Sequence, residues 1–411
     1  MSVVAVVNVA HSYGSHPILD GVTLSIAAGE KIGLVGRNGQ GKTTLMKMMT
    51  GEMKPDSGSV QVQRGVRVGY LSQHVNLNPD ETLRGEAEGA FAELHELHRQ
   101  LEAAHEEMAH VQGDALDKVL KRCADIESRM EAAGGYAIDH KIDAMLHGLG
   151  FTDAEFTIPV RGLSGGQKAR VGLARLLLEA PDVLLMDEPT NHLDIEGRRW
   201  LEEFLAEEYP GAVVIVSHDR WLLDRVVGRI VEVERGKIRE YPGNYHAFVE
   251  QRALRLLSEE RAFEKQQDKI KQEQAFIDRY RAGQRAKQAR GREMRLERMK
   301  ENEGLERPVE LEVMKLALPK AERSGDQVIV AEGIRKKLGE RVLFNDFSIT
   351  VMRGQRVGII GPNGTGKTTL LKCLLGEMEV DAGVARIGSR LKIGYFKQMQ
   401  DDLDMSLRVW E

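Results

Sequence analysis

The stretch Gly36-Arg-Asn-Gly-Gln-Gly-Lys-Thr-Thr44 puts glycines, a lysine and paired hydroxyls in an order that suits phosphate chemistry. Glycines let successive backbone N–H groups turn inward on an anion, and a helix N-terminus just beyond adds its positive dipole end. Gly36, Asn38, Gly39 and Gly41 form the turn, Lys42 reaches the outer phosphates, and Thr43, followed by Thr44, can hold Mg²⁺. The string returns as Gly361-Pro-Asn-Gly-Thr-Gly-Lys-Thr-Thr369, with Asn363, Gly364, Gly366, Lys367 and Thr368 in the equivalent places. One such match arises easily by chance. Two in the same strand-to-helix setting argue against a turn that binds nothing.

A second group of reactive residues follows the apolar run Val183-Leu-Leu-Met, which ends in Asp187-Glu188. A buried strand of that kind delivers both carboxylates to the C-terminal edge of an open α/β sheet, where ligands bind. Asp187 then stays ionised and holds Mg²⁺ through water. Glu188, one step on, faces the γ-phosphate and orients or deprotonates the attacking water. Ala212-Val-Val-Ile-Val216 is a further buried strand, expected beside the first, and it ends at His218, which therefore opens onto the same phosphate. Upstream lies Leu163-Ser-Gly-Gly-Gln167, followed by a helical pattern.

The elements that must position these residues are legible from periodicity. Short β-rich runs at Val3 to Val9, Val22 to Ile26 and Lys31 to Val35 lead into the first loop, and a helix runs from Thr43 to about Thr50. Val60-Gln-Val-Gln and Val66 to Leu71 alternate as strands, with Gln73 just beyond. From about residue 83 to 132 apolar residues recur at three-four spacing on two amphipathic helices broken at Gly113-Asp114: Phe91, Leu94, Leu97, Leu101, Met108 and Val111, then Leu116, Leu120, Cys123, Ile126 and Met130. Their apolar stripe serves as core or as an arm toward a partner. At 411 residues and 42% apolar, the chain has the size of two or three soluble domains. No apolar run approaches the roughly 18 residues of a membrane span. The start Val3 to Val9 lacks a basic n-region and is a strand, not a signal peptide. Cys123 and Cys373 are the only cysteines, far apart and with no Cys/His grouping nearby, which excludes a disulfide framework and a zinc site and fits a cytoplasmic setting.

Positions Tyr13, Gly36, Lys42, Asp56, Tyr70 and Gln73 return as Leu338, Gly361, Lys367, Asp381, Tyr395 and Gln398, each 325 residues on and without a gap. The motifs in this order resemble the ATP-binding cassette family, and Asp187-Glu-Pro-Thr-Asn-His-Leu-Asp194 resembles its ABC-F class of soluble tandem-cassette, mostly ribosome-associated translation factors. The resemblance implies an α/β fold with tandem P-loop cassettes joined by a long α-helical hairpin: residues 1–243 as the first cassette, 244–319 as the linker, and 327–411 as the N-terminal part of the second. It implies ATP and Mg²⁺ as ligands, Tyr13 stacking on adenine, Gln73 and Gln398 as glutamine-loop metal contacts beside Thr43 and Thr368, and Ser164, Gly165, Gly166 and Gln167 as the signature. Asp194 belongs to the following loop, and His218 is the switch histidine. Cassettes of this family pair head to tail, so one signature covers the other loop. The chain ends before a second signature, Asp-Glu strand or switch histidine, so weak turnover is expected of a monomer unless two copies pair through their first cassettes. Leu338 replaces the aromatic Tyr13, which weakens the adenine platform expected at the second loop.

In the linker, Leu256, Phe263, Ile270 and Ile277 recur every seven residues, and Ala289, Leu296 and Met299 supply a returning stripe, which predicts a helical hairpin turning near Arg281 to Gln284. Between Arg279 and Lys300 stand nine basic side chains against two acidic ones, in a chain whose net charge is −5. Like charges gathered at a tip repel unless an anion meets them, so Arg279, Arg281, Arg285, Lys287, Arg290 and Arg292 are candidate RNA contacts. Tyr280 is the single aromatic in that cluster, which favours shape and phosphate contact over base stacking. For ABC-F factors the resemblance implies contact with rRNA and the P-site tRNA. The leading expectation is an ATPase whose ATP-bound form closes, presents the hairpin to the ribosome and is released by hydrolysis. The alternatives are a DNA-directed relative acting on branched DNA and a nucleotide-gated binding module with little turnover. A membrane transporter subunit fits poorly, since such subunits carry one cassette and no basic hairpin.

Overall fold

A computed structural model describes residues 2–71, 77–108, 114–132, 138–280, 285–302, 324–339 and 341–396. The chain divides into two compact units, Met1–Val313 and Met314–Glu411. The first begins with β1 (Ser2–Tyr13), β2 (His16–Ala27), β3 (Lys31–Val35), α1 (Lys42–Thr50), β4 (Ser57–Val62) and β5 (Val68–Leu71). Helices α2 (Leu83–Glu88), α3 (Ala92–Met108), α4 (Asp114–Ala132), α5 (Ile138–Gly148) and α6 (Gly165–Glu179) follow. Then come β6 (Val183–Asp187), α7 (Ile195–Glu203), β7 (Ala212–Val216), α8 (Arg220–Val226), β8 (Arg229–Glu234) and β9 (Lys237–Pro242), and last the long α9 (Tyr245–Arg279) and α10 (Ala286–Asn302).

The central sheet has the order β5-β6-β7-β3-β8-β9, parallel except for the antiparallel β8-β9 edge. Every residue of β6 and β7 is buried, as parallel strands covered on both faces require. This order sets β7 between β3 and β6, so the loops that leave these three strands share one edge of the sheet. A smaller antiparallel sheet, β2-β1-β4, stands beside it and carries Tyr13 at the end of β1.

The helices α3 and α4 pack as an antiparallel-style pair through Leu97, Leu101 and Ala104 on one side and Val119, Cys123, Ile126 and Met130 on the other, all buried in one core. Leu120, expected in that stripe, is 44% exposed. The four-three-four run that faces the core starts at Val119, which leaves Leu120 one position off it. The break expected at Gly113-Asp114 falls at the start of α4, and residues 109–113 lie outside the described residues.

The hairpin forms as α9 and α10. Ile277, Ala289 and Leu296 are buried, while Leu256, Phe263, Ile270 and Met299 are half-buried. The gradient follows from length: α10 has 17 residues against 35 in α9, so it can run beside only the distal part of its partner. The turn residues 281–284, Arg281 among them, lie outside the described residues.

The second unit holds β10 (Gln327–Leu338), β11 (Arg341–Met352), α11 (Lys367–Leu374) and β12 (Ala382–Ile387), in a sheet of order β11-β10-β12. Its register repeats that of the first small sheet at the 325-residue offset: Val4 pairs Val62 as Ile329 pairs Ile387, and Tyr13 pairs His16 as Leu338 pairs Arg341. The residues matching β3, by contrast, form no strand, and Val357 and Ile360 are exposed. In the first unit β3 is held between β7 and β8.

Candidate nucleotide site

The loop after β3 has the backbone that its glycines were expected to allow. Gly39 and Gly41 have φ of 81° and 91°, in the left-handed region, and Gly36 has φ 153°. Space is as restrictive as conformation: a Cβ on Gly36 would lie 2.5 Å from the Val233 carbonyl oxygen, and one on Gly41 2.5 Å from Ile18 Cγ2. Lys42 Nζ donates to the carbonyls of Gly36 (2.8 Å) and Arg37 (3.1 Å), which closes the loop into a ring. Burial lowers the Lys42 pKa, and the charges of Asp187 and Glu188 act against that shift. The cradle therefore leads into the N-terminus of α1, with Thr43 and Thr44 on its first turn.

The ends of β6 and β7 meet this loop. Thr43 Oγ1 donates to Asp187 Oδ2 at 2.7 Å, so the hydroxyl and the carboxylate expected at the metal converge. These are hard oxygen donors, few in number, as suits Mg²⁺ that keeps waters and phosphate oxygens. Among the described residues no group of three or more His, Cys, Asp or Glu side chains could hold a metal.

Glu188 adopts φ 53°, a backbone region that a glutamate seldom occupies, and its N–H donates to Val216 O at 2.8 Å. Such strain gathers at functional sites. The carboxylate is mostly buried, its Oε2 accepts from the His218 backbone N–H at 3.2 Å, and its Oε1 stands 3.5 Å from His218 Nε2, an approach too long for a good hydrogen bond. Burial raises the Glu188 pKa, partly opposed by the His218 contacts. A carboxylate whose pKa is raised is the stronger base.

Tyr13, Asn38, Gly39, Gly41, Lys42, Thr43, Thr44, Asp187, Glu188 and His218 line one cavity of about 520 Å³. Its volume falls in the range of sites for small organic ligands. Among the described residues, none of Ser164 to Gln167 lines it. The signature instead forms the start of α6 as a capping box. The Ser164 hydroxyl accepts from the Gln167 N–H, and the Gln167 side-chain oxygen accepts from the Ser164 N–H at 3.0 Å. Ser-x-x-Gln is a sequence signal for that box, although a functional reading of the motif competes with it. Asp194 caps α7 by accepting from the Gly197 N–H at 2.9 Å. Gln73 and Gln398 lie outside the described residues.

In the second unit Lys367 Nζ donates to the carbonyls of Gly361 and Pro362, the same closure as in the first loop, and Gly364 and Gly366 have φ of 76° and 93°. Thr368 and Thr369 begin α11 as Thr43 and Thr44 begin α1. Leu338 is 51% exposed where Tyr13 is 52% exposed, so the position offers its side chain outward in both units.

Two residues escaped sequence reasoning. Arg170, a buried cation on the apolar side of α6, donates from Nη1 to Leu149 O (2.8 Å) and Gly150 O (3.2 Å) and lies 4.3 Å over the Phe151 ring. It ties the signature helix to the end of α5. Ser217, buried between Val216 and His218, accepts from the Asp219 N–H at 3.0 Å and shapes the turn that carries the histidine.

Residues 19–191 and 344–411 match the ABC transporter family, and 231–316 match a second family profile of the same description that covers α9 and α10. The energy-dependent translational throttle protein EttA of Escherichia coli K12 is 36% identical over 394 residues, 96% of this chain and 70% of that protein. The chain belongs to the ABC-F class of the ATP-binding cassette family. Its EttA-named relative in Mycobacterium tuberculosis is likewise 36% identical, over 98% of this chain and 71% of its own length. The putative ATP-binding protein YdiF of Bacillus subtilis is 35% identical over the whole chain and 64% of its own length. Within this ABC-F chain, the second profile runs from the β8–β9 edge of the sheet through the basic hairpin.

Proposed function

We propose that this protein is an ABC-F ATPase that acts on the ribosome. The observation that carries the catalytic part is the convergence of Thr43, Asp187, Glu188 and His218, from three neighbouring strand ends, on the cavity closed by Lys42. Tyr13 faces the base, the loop N–H groups and Lys42 bind the phosphates, and Thr43 and Asp187 hold Mg²⁺, with Thr368 in the corresponding role at the second loop. Bound Mg²⁺ offsets the charge on the β- and γ-phosphate oxygens. Glu188 takes the proton of the attacking water as that oxygen bonds to the γ-phosphorus and the bond to the ADP oxygen breaks. His218 fixes the Glu188 carboxylate through its backbone N–H and meets the γ-phosphate with its ring. Ser164 to Gln167, presented by the α6 N-terminus, would cover a nucleotide held on the phosphate loop of a cassette paired head to tail.

The ribosomal part rests on two supports: relatives at 36% identity bear the name of a translational throttle, and Arg285, just before α10, stands exposed with Lys287, Arg290 and Arg292 along it. These side chains contact rRNA and tRNA phosphates. The relatives' name favours this reading over one on branched DNA. Glu188→Gln keeps size and hydrogen bonding but cannot take the proton. The variant should bind ATP as the parent does while steady-state hydrolysis falls by about 10²-fold or more; a variant that still hydrolyses ATP at the parent rate removes Glu188 from the reaction.

A further inference from the structure

The end of β1 that carries Tyr13 is pinned by a polar latch that both units repeat. In the first, Asp56 N–H donates to Ala10 O (2.9 Å), Asp56 Oδ2 accepts from the Ser12 N–H (2.8 Å), and Asp56 Oδ1 pairs with His11 Nδ1 (3.1 Å). In the second, Asp381 N–H donates to Arg335 O (2.8 Å), Asp381 Oδ2 accepts from the Lys337 N–H (2.6 Å), and Asp381 Oδ1 accepts from Lys336 Nζ (3.0 Å). Positions 10 and 12 enter the latch through backbone atoms in both units, so position 11 is the one place besides the aspartate where a side chain makes the contact, a histidine in place of a lysine, and it differs together with position 13, a tyrosine in place of a leucine. The His11 ring meets the Tyr13 ring edge-on, with centroids 4.9 Å apart at 85°, while the Tyr13 hydroxyl points to Met53 Sδ at 3.8 Å. His11 is 12% exposed, and its buried Nε2 has no hydrogen-bond partner among the described residues. A lysine would serve the carboxylate equally well and leave no such orphan. The ring is therefore retained for its contact with Tyr13, since edge-to-face aromatic pairs stabilise one relative orientation.

We infer that His11 is a positioning residue for nucleotide binding at the first loop: clamped by Asp56, it fixes the Tyr13 ring as the platform on which the base stacks. This rests on the assignment of Tyr13 to the base. It also makes the two loops unequal by construction, the first with a braced aromatic platform and the second with an unbraced aliphatic one. The test uses the full chain with Lys367→Ala to silence the second loop, and measures dissociation constants for ATP and for inorganic tripolyphosphate, which has no base. His11→Lys, which restores the second unit's latch but removes the ring, should weaken ATP two- to tenfold and leave tripolyphosphate unchanged. Tyr13→Leu should weaken ATP at least as much, and His11→Lys should add nothing in the Tyr13→Leu background. Equal losses for ATP and tripolyphosphate, or additive losses in the double variant, would overturn the role of His11. If Tyr13→Leu weakens ATP while His11→Lys does not, only His11 falls; if Tyr13→Leu has no effect, the platform assignment fails and the proposal with it.

Discussion

One buried carboxylate helps fasten the root of the hairpin to the nucleotide-binding sheet, and removing it should loosen α9. Glu232 sits on β8, next to the Val233 carbonyl that walls Gly36. Its side chain is 5% exposed and accepts from Arg252 Nε, from Arg255 Nη2 (3.2 Å) and from the Tyr241 hydroxyl (3.0 Å). In Glu232→Ala the two guanidinium groups, each about 15% exposed, keep Glu234, at 3.8 and 3.3 Å, and Arg255 also keeps Glu259 at 3.9 Å. Breaking a buried ion pair by removing one partner costs about 3–5 kcal/mol. Because Glu234 still meets both arginines, we expect a somewhat smaller cost of about 2–4 kcal/mol. Tyr241→Phe removes a single hydrogen bond to a charged group and should cost about 1.5–3 kcal/mol, and the double variant should lose less than the sum because Glu232 is the shared partner. Urea unfolding gives the loss, and hydrogen exchange along residues 245–260 should rise selectively in Glu232→Ala. A variant within about 0.5 kcal/mol of the parent, the level of an ordinary surface substitution, would refute the buried clamp.

Two further outcomes follow from the same geometry. Burial, and then Glu232, push the Tyr241 hydroxyl from its ordinary 10.0 up to about 12. A folded pKa above the unfolded one gives stability that is fully present below about pH 10 and lost as pH rises toward 12, so urea midpoints should fall through that window, and less so in Tyr241→Phe. Neutralising Lys287 and Arg290 on the exposed side of α10 should lower affinity for single-stranded RNA and flatten its salt dependence by about 0.7 log units per log salt for each lost phosphate contact; an unchanged slope removes these side chains from the interface.

Much of the fold and the nucleotide site is legible in the sequence because it rests on local rules. Val183 to Met186 and Ala212 to Val216 are continuous apolar runs that only a two-sided sheet can hide, and both become fully buried strands whose ends deliver Glu188 and His218. The glycine turn is legible because Gly39 and Gly41 occupy φ values that side chains resist. What stayed hidden depends on distant partners. Arg170 sits in an amphipathic helix pattern like any surface cation, and only the carbonyls of Leu149 and Gly150 make it a buried tie. Arg252 and Arg255, three apart on a charged helix, resemble a solvated face until β8 supplies Glu232. At the hairpin tip Tyr280 looked isolated, yet Phe276 lies 4.7 Å from it, with Arg285 and Arg292 over the two rings. Helical spacing of four brings that pair together, and the arginines lie across the rings as cation–π contacts.

The most direct test of the account is sedimentation of the Glu188→Gln variant with purified ribosomes in ATP and in ADP. The account predicts that the variant co-sediments with ribosomes in ATP and is largely free in ADP, and that neutralising Arg285, Lys287 and Arg290 lowers the ATP-dependent fraction. Absence of a ribosome-bound fraction in ATP, with ATP binding by the variant intact, would contradict it.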